Sequence, residues 1–144
     1  MALVLANIGN RDVLCDGQEC RPARDRGGEI LNANSGERER LSFPIFGRAL
    51  EHLQKDLGER RQDLEVVLFV TDQADPAHRS TDTVEFGRII KKHFGASVKI
   101  GLEVINQSPH AYDIMFALYG ERLSAIRKKH GRPEKVYVLA TGGA

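Results

Sequence analysis

The chain has 144 residues, 41% hydrophobic and 28% charged, with a formal net charge of +1. That length suits one domain with a core of its own, spanning 1–144, and leaves little for a second. The near-neutral balance excludes a basic coat for direct DNA binding, while a local arginine group could still hold an anion.

The first residues, "MALVLANIGNRD", have an apolar run without a basic start or a cleavage signal, so they do not read as a signal peptide. Residues 2–7 are nearly continuous in apolar side chains, the pattern of a strand covered on both faces. Residues 9–42 then form an unusually long connection. Its Gly17-Gln18 and Gly27-Gly28 turns bound short segments, which predicts a β-hairpin or another ordered excursion. Cys15 and Cys20 fall within it. No second cysteine pair completes a zinc site, and the five histidines are scattered, so no metal is expected and the thiols read as reduced, in a cytoplasmic protein.

Residues 44–58 carry Phe46, Ala49, Leu50, Leu53 and Leu57 on one helical stripe, with Pro44 at its start and Gly58 at its end. Residues 64–71, "LEVVLFVT", predict a second covered strand. A second helix follows over 82–95, with Phe86, Ile89, Ile90 and Phe94 inward, Asp82 and Glu85 as a capping pair and Gly95 as its stop. Residues 97–105 predict a third strand, more polar and suited to a sheet edge. The third helix spans 109–130, with Met115, Leu118, Tyr119, Leu123 and Ile126 inward and Gly131 as its stop. Residues 135–141 predict a fourth strand, again covered on both faces. No apolar stretch has the length to span a membrane.

This alternation predicts an α/β domain: a Rossmann-like parallel sheet with helices on both faces and a hairpin-like excursion after the first strand. A fourth strand ending in Thr-Gly-Gly is expected to feed another helix. The sequence stops at Ala144, so the chain reads as the N-terminal fragment of a longer protein that lacks a C-terminal helix. An apolar sheet face would then lie open, and copies could associate through it.

Ligands of open parallel sheets bind at the carboxyl ends of the strands. The residues predicted there are Gly9, Asn10, Arg11 and Asp12 after the first strand and Asp72 and Gln73 after the second. Asn106, Gln107 and Ser108 follow the third, and Thr141, Gly142 and Gly143 the fourth. Glycines let backbone N–H groups approach a phosphate, and the amides and hydroxyls can read a sugar or a base edge. The fingerprint of a dinucleotide cofactor is missing after the first strand, and no cofactor is expected. His78 and His110 fall on the same predicted loops and would be the general bases, although loop histidines are ordinarily just exposed. Lys91-Lys92 and Lys128-Lys129 read as solubilising surface.

"NIGNRDV", "CRPARDRGGEIL", "FVTDQ", "INQSPHAYDIMFALY" and the closing "VLATGG" together, in this order, resemble CRISPR-associated Rossmann-fold (CARF) sensor domains of antiviral defence systems. The resemblance covers essentially the whole chain and rests on order and spacing more than on any one motif. It implies a two-fold homodimer that binds a cyclic oligoadenylate second messenger, a tetra- or hexa-adenylate made by type III CRISPR complexes. It further implies contacts from Gly9, Asn10, Arg11, Asp12, Thr141, Gly142 and Gly143, with Asn106 and Gln107 beside them. Members of the family commonly continue past the Gly-Gly turn with a hydroxyl residue, a proline and a helix, and then carry an effector, often a ribonuclease; none of these follows here.

Two alternatives stand beside the sensor. Some such domains cleave their ligand without metal, the ribose 2′-OH attacking the neighbouring phosphate; Arg11 would stabilise charge and Thr141 or Asn10 would orient the attack. The other alternative is a Rossmann-like domain sensing a different nucleotide within a transcription regulator.

Overall fold

In the computed structural model, which describes residues 2–19, 39–73, 77, 82–106, 112–133 and 135–139, strand β1 (Ala2–Asn7) lies inside a four-stranded parallel sheet. Its neighbours are β5 (Leu64–Thr71) on one side and β7 (Lys135–Leu139) on the other. The strand β6 (Lys99–Ile105) pairs with β5 and completes the order β6-β5-β1-β7. The connections carry α1 (Phe46–Leu57), α2 (Val84–Phe94) and α3 (Tyr112–His130). The first two crossovers step from β1 outward to β6. The third returns across the sheet to the far side of β1, so the winding reverses between β1 and β7.

Alternation along the strands divides the core into two layers. Ala2, Val4 and Ala6 of β1 face the same way as Leu64, Val66, Leu68 and Val70 of β5, and α1 and α2 cover them with Phe46, Leu50, Phe86 and Ile90. Leu3, Leu5, Val67 and Phe69 face the opposite way, and α3 covers them with Leu118, Tyr119 and Ile126. The nearly continuous apolar runs of β1 and β5 have this cause: each strand needs apolar side chains on both faces. Between α1 and α2, Phe94 meets Phe43 and Phe46 edge to face at 5.1 and 5.3 Å. Gly87 of α2 lies over β5, and a Cβ there would stand 2.6 Å from Val70 Cγ1.

The expected excursion is present as a small antiparallel sheet. It comprises β2 (Leu14–Cys15), β3 (Gln18–Glu19) and β4 (Leu41–Ser42), in the order β3-β2-β4. Its hairpin turns at Asp16 and Gly17, with φ of 52° and 78°, one residue before the expected Gly17-Gln18. Positive φ at both central positions gives the turn the twist that two paired strands require. The Arg40 guanidinium chelates the Asp16 carboxylate, and the Asp16 N–H donates to the Arg40 carbonyl at 2.9 Å, tying β4 to the hairpin. The hydrogen bond from Arg40, helped by its charge, holds the exposed Asp16 carboxyl below its usual range.

Three expectations need correction. Asp82 does not cap α2, which starts at Val84 after Thr83 with no side-chain cap; its carboxylate is engaged elsewhere. Leu123 was expected inward and is 42% exposed. The strand β7 is not covered on both faces. Tyr137 and Leu139 pack beside α1, but Val136 and Val138 are 51% and 67% exposed, because β7 is an edge strand that α3 does not reach across. Among the described residues, no helix is long and apolar enough to cross a membrane.

Candidate functional site at the carboxyl rim

The chain leaves β1 through a tight turn built into the sheet. Ile8 N–H donates to the Phe69 carbonyl at 3.1 Å, and buried Ile8 and Val13 anchor the two ends. Asp12 lies 2% exposed with its carboxylate accepting the Gly9 N–H at 2.7 Å, while the Asp12 N–H returns to the Gly9 carbonyl at 3.3 Å. Burial pushes the Asp12 carboxyl above its ordinary value, and the Gly9 N–H opposes that rise. Asp12 therefore braces the turn from inside.

Asn10 and Arg11 occupy the crown of this turn. Asn10 is partly exposed, yet its Oδ1 is buried and has no hydrogen-bond partner among the described residues. A buried acceptor left without a donor costs about 1–3 kcal/mol, so it marks a place where a ligand donor or water gains. Arg11 is 81% exposed and reaches Glu19 of the hairpin at 3.4 Å. A solvated pair of this kind holds its partners weakly and exchanges readily for a better anion. Among the described residues 7–13, 71–73 and 106 of the rim, Arg11 is the cation.

The loop after β5 is organised by a buried polar cluster that the sequence did not announce. Asp82 is 0% exposed, and its carboxylate accepts the Gln73 backbone N–H and the Gln73 Nε2, each at 3.0 Å. Beside it, Thr71 and Thr83 exchange backbone N–H to Oγ1 bonds at 3.0 and 3.2 Å. Gln73 is thus committed to Asp82, and its side chain faces inward rather than into the rim. The Asp72 N–H donates to the Ile105 carbonyl at 2.9 Å, joining this loop to the end of β6, where Asn106 is exposed.

On the α3 side of the sheet at the rim, Asn7 Oδ1 accepts a hydrogen bond from the Tyr119 hydroxyl at 2.9 Å. Burial pushes the Tyr119 hydroxyl above its ordinary value. Sequence reading missed this pair; the polar Asn7 closing an apolar strand was the available signal.

The turn after β1 thus brings Gly9, Asn10, Arg11 and Asp12 together, with Asp72 and Asn106 at the ends of the next two strands. Gln107, Thr141, Gly142, Gly143, His78, His110 and Cys20 lie outside the described residues. Among the described residues, no group of three His, Cys, Asp or Glu side chains could hold a metal ion. A cavity of about 320 Å³ lies elsewhere, between α3 and β6, lined by Glu65, Lys99, Gly101, Ile126 and Lys129. Its lining comes from the amino-terminal parts of β5 and β6, away from this rim.

No family model, no curated protein and no solved structure matches the chain.

Proposed function

We propose that this domain is a cytoplasmic sensor that binds a cyclic oligoadenylate at the carboxyl rim, two copies presenting the same loops to one ring. The observation that supports it is the crown of the β1 turn. A buried acceptor without a donor among the described residues, Asn10 Oδ1, stands next to an exposed, weakly held cation, Arg11. An adenine amine supplies the missing donor, and a phosphodiester supplies the anion. A ring of identical units suits an isologous pair, which offers each half the same turn.

The turn's construction fits that task. Asp12 holds Gly9 from below, so the crown is set before ligand arrives and little ordering cost remains at binding. Arg11 exchanges Glu19 for a phosphate in a charge-assisted bond. The position at β1, where the winding of the sheet reverses, is where open α/β sheets take ligands.

Calorimetric titration with cyclic tetra- and hexa-adenylate, in EDTA, tests the reading. Binding of one ring per two chains is expected. Asn10→Ala and Arg11→Ala should each weaken it by about tenfold or more, the effect of one hydrogen bond involving a buried or charged group. Arg11→Ala should keep the wild-type melting temperature, and Asn10→Ala should match or exceed it, since it removes the unpaired acceptor. No heat from either ring, with the fold intact by circular dichroism, refutes the proposal. Chromatography of the ligand afterwards separates a sensor, which returns the ring whole, from a ring nuclease.

A further inference from the structure

The side of α3 turned to β6 closes only part of the sheet beneath it. Arg122, Ala125, Ile126 and Lys129 lie three or four residues from one another along the helix and share that side. On the sheet, alternation puts Lys99, Gly101 and Glu103 of β6 on one face, with Glu65 and Val67 of β5 in register beside Lys99 and Gly101. Val67 and Ile126 belong to one core layer, so this is the face that α3 covers.

Charges on that face are paired on either side of Gly101. Lys99 Nζ donates to Glu65 Oε1 at 3.1 Å, and Arg122 donates to Glu103 Oε2 at 3.0 Å and to the Val104 carbonyl at 3.4 Å. Gly101 itself has no side chain, and a Cβ there would meet nothing within 4 Å. Ala125 brings only a methyl from the helix. These two small residues leave the cavity of about 320 Å³ against Val67 and Ile126. That volume lies at the lower end of the range of small-molecule sites and equals the space of about ten waters.

Lys129 lines the same cavity. Unlike Lys99, it makes no ion pair or hydrogen bond among the described residues. In the sequence Lys128-Lys129 reads as solubilising surface; the fold brings one of the two to a cavity wall. An ammonium without a partner beside apolar walls favours an anion that carries an apolar body. Glu65 and Glu103 also line the cavity, so a dianionic phosphate would meet two carboxylates, while a single carboxylate is matched by Lys129. Glycine within a strand lets a ligand approach the backbone closely, and the bare backbone at Gly101 gives a flat ring a surface to lie on.

We propose that the cavity between α3 and β6 binds a small monocarboxylate with a flat apolar body. Its ring lies over Gly101 against Val67 and Ile126, and its carboxylate meets Lys129. The site shares no residue with the carboxyl rim and does not depend on what binds there.

Nitrogen–proton correlation NMR of the full chain, titrated with naphthoate and without nucleotide, tests it. Saturable shifts are expected at the Val67, Gly101 and Ala125 amides and not at Gly9 to Asp12. A ligand of roughly thirteen heavy atoms should bind with a dissociation constant of about 1 mM or below. Neutral naphthylmethanol and cationic naphthylmethylamine should each bind at least about fivefold more weakly, and Lys129→Ala should weaken naphthoate by a similar factor. Gly101→Leu should abolish the shifts while keeping or raising the melting temperature, because a strand glycine is replaced where space is open. Lys129 is exposed, so its variant stays folded whatever Gly101→Leu does. Shifts that fail to saturate by about 10 mM, shifts centred on the rim, or equal binding of naphthylmethanol or by Lys129→Ala overturns the proposal. None of these results depends on whether the chain binds cyclic oligoadenylate.

Discussion

Replacing Gly87 with alanine sets two opposing effects against each other. Gly87 sits within α2, where alanine would ordinarily gain up to about 1 kcal/mol over glycine in helix propensity. Here the added Cβ would stand 2.6 Å from Val70 Cγ1 and 3.1 Å from Leu102 Cδ2. Val70 is 0% exposed in the central part of the sheet, so it has little room to move. Forcing a methyl into a filled core costs about 1–3 kcal/mol, which exceeds the propensity gain. The net expectation is a loss of about 0.5–2 kcal/mol, read by urea unfolding followed by circular dichroism, with an unchanged slope. Gly101→Ala in β6 is the control: its Cβ meets nothing within 4 Å, and it should gain about 0.5–1 kcal/mol. Gly87→Ala as stable as wild type would refute the claim that α2 rests this closely on β5.

Other expectations follow from the polar groups at the rim. Asp82→Ala leaves two buried Gln73 donors unpaired and should cost about 3–5 kcal/mol, measured by the same unfolding. Asp12→Asn keeps an acceptor for the Gly9 N–H and removes a buried charge. Because the folded Asp12 carboxyl titrates above its ordinary value of 3.8, the native state binds the proton more tightly, and wild type loses stability as pH rises from 3.8 through the folded value. The variant should lack that loss, so the difference between them should grow over the same interval and then level; a difference constant with pH would refute the assignment.

The kinds of element, and their order, were legible because they are local properties of the chain. The stripe of Phe46, Leu50 and Leu53 in α1 and that of Phe86, Ile89 and Ile90 in α2 have helical spacing whatever they pack against. The runs in β1 and β5 are nearly continuous in apolar residues, and Gly17 marked the hairpin, whose turn falls one residue earlier than its sequence reading. The more polar β6 read correctly as an edge. What the tertiary structure decided were the pairings between distant residues. The run in β7 looks like that of β1, yet only the strand order makes it an edge with Val136 and Val138 bare. Asp82 has a capping residue's sequence context, but the end of β5 brings two Gln73 donors to it. At Asp12 and Asn10 the same turn sends one polar group inward to a partner and leaves the other's oxygen without one among the described residues. Periodicity records how much apolar surface a segment must bury. Which neighbour covers it, and which polar group is left unpaired, depends on elements far apart in the chain.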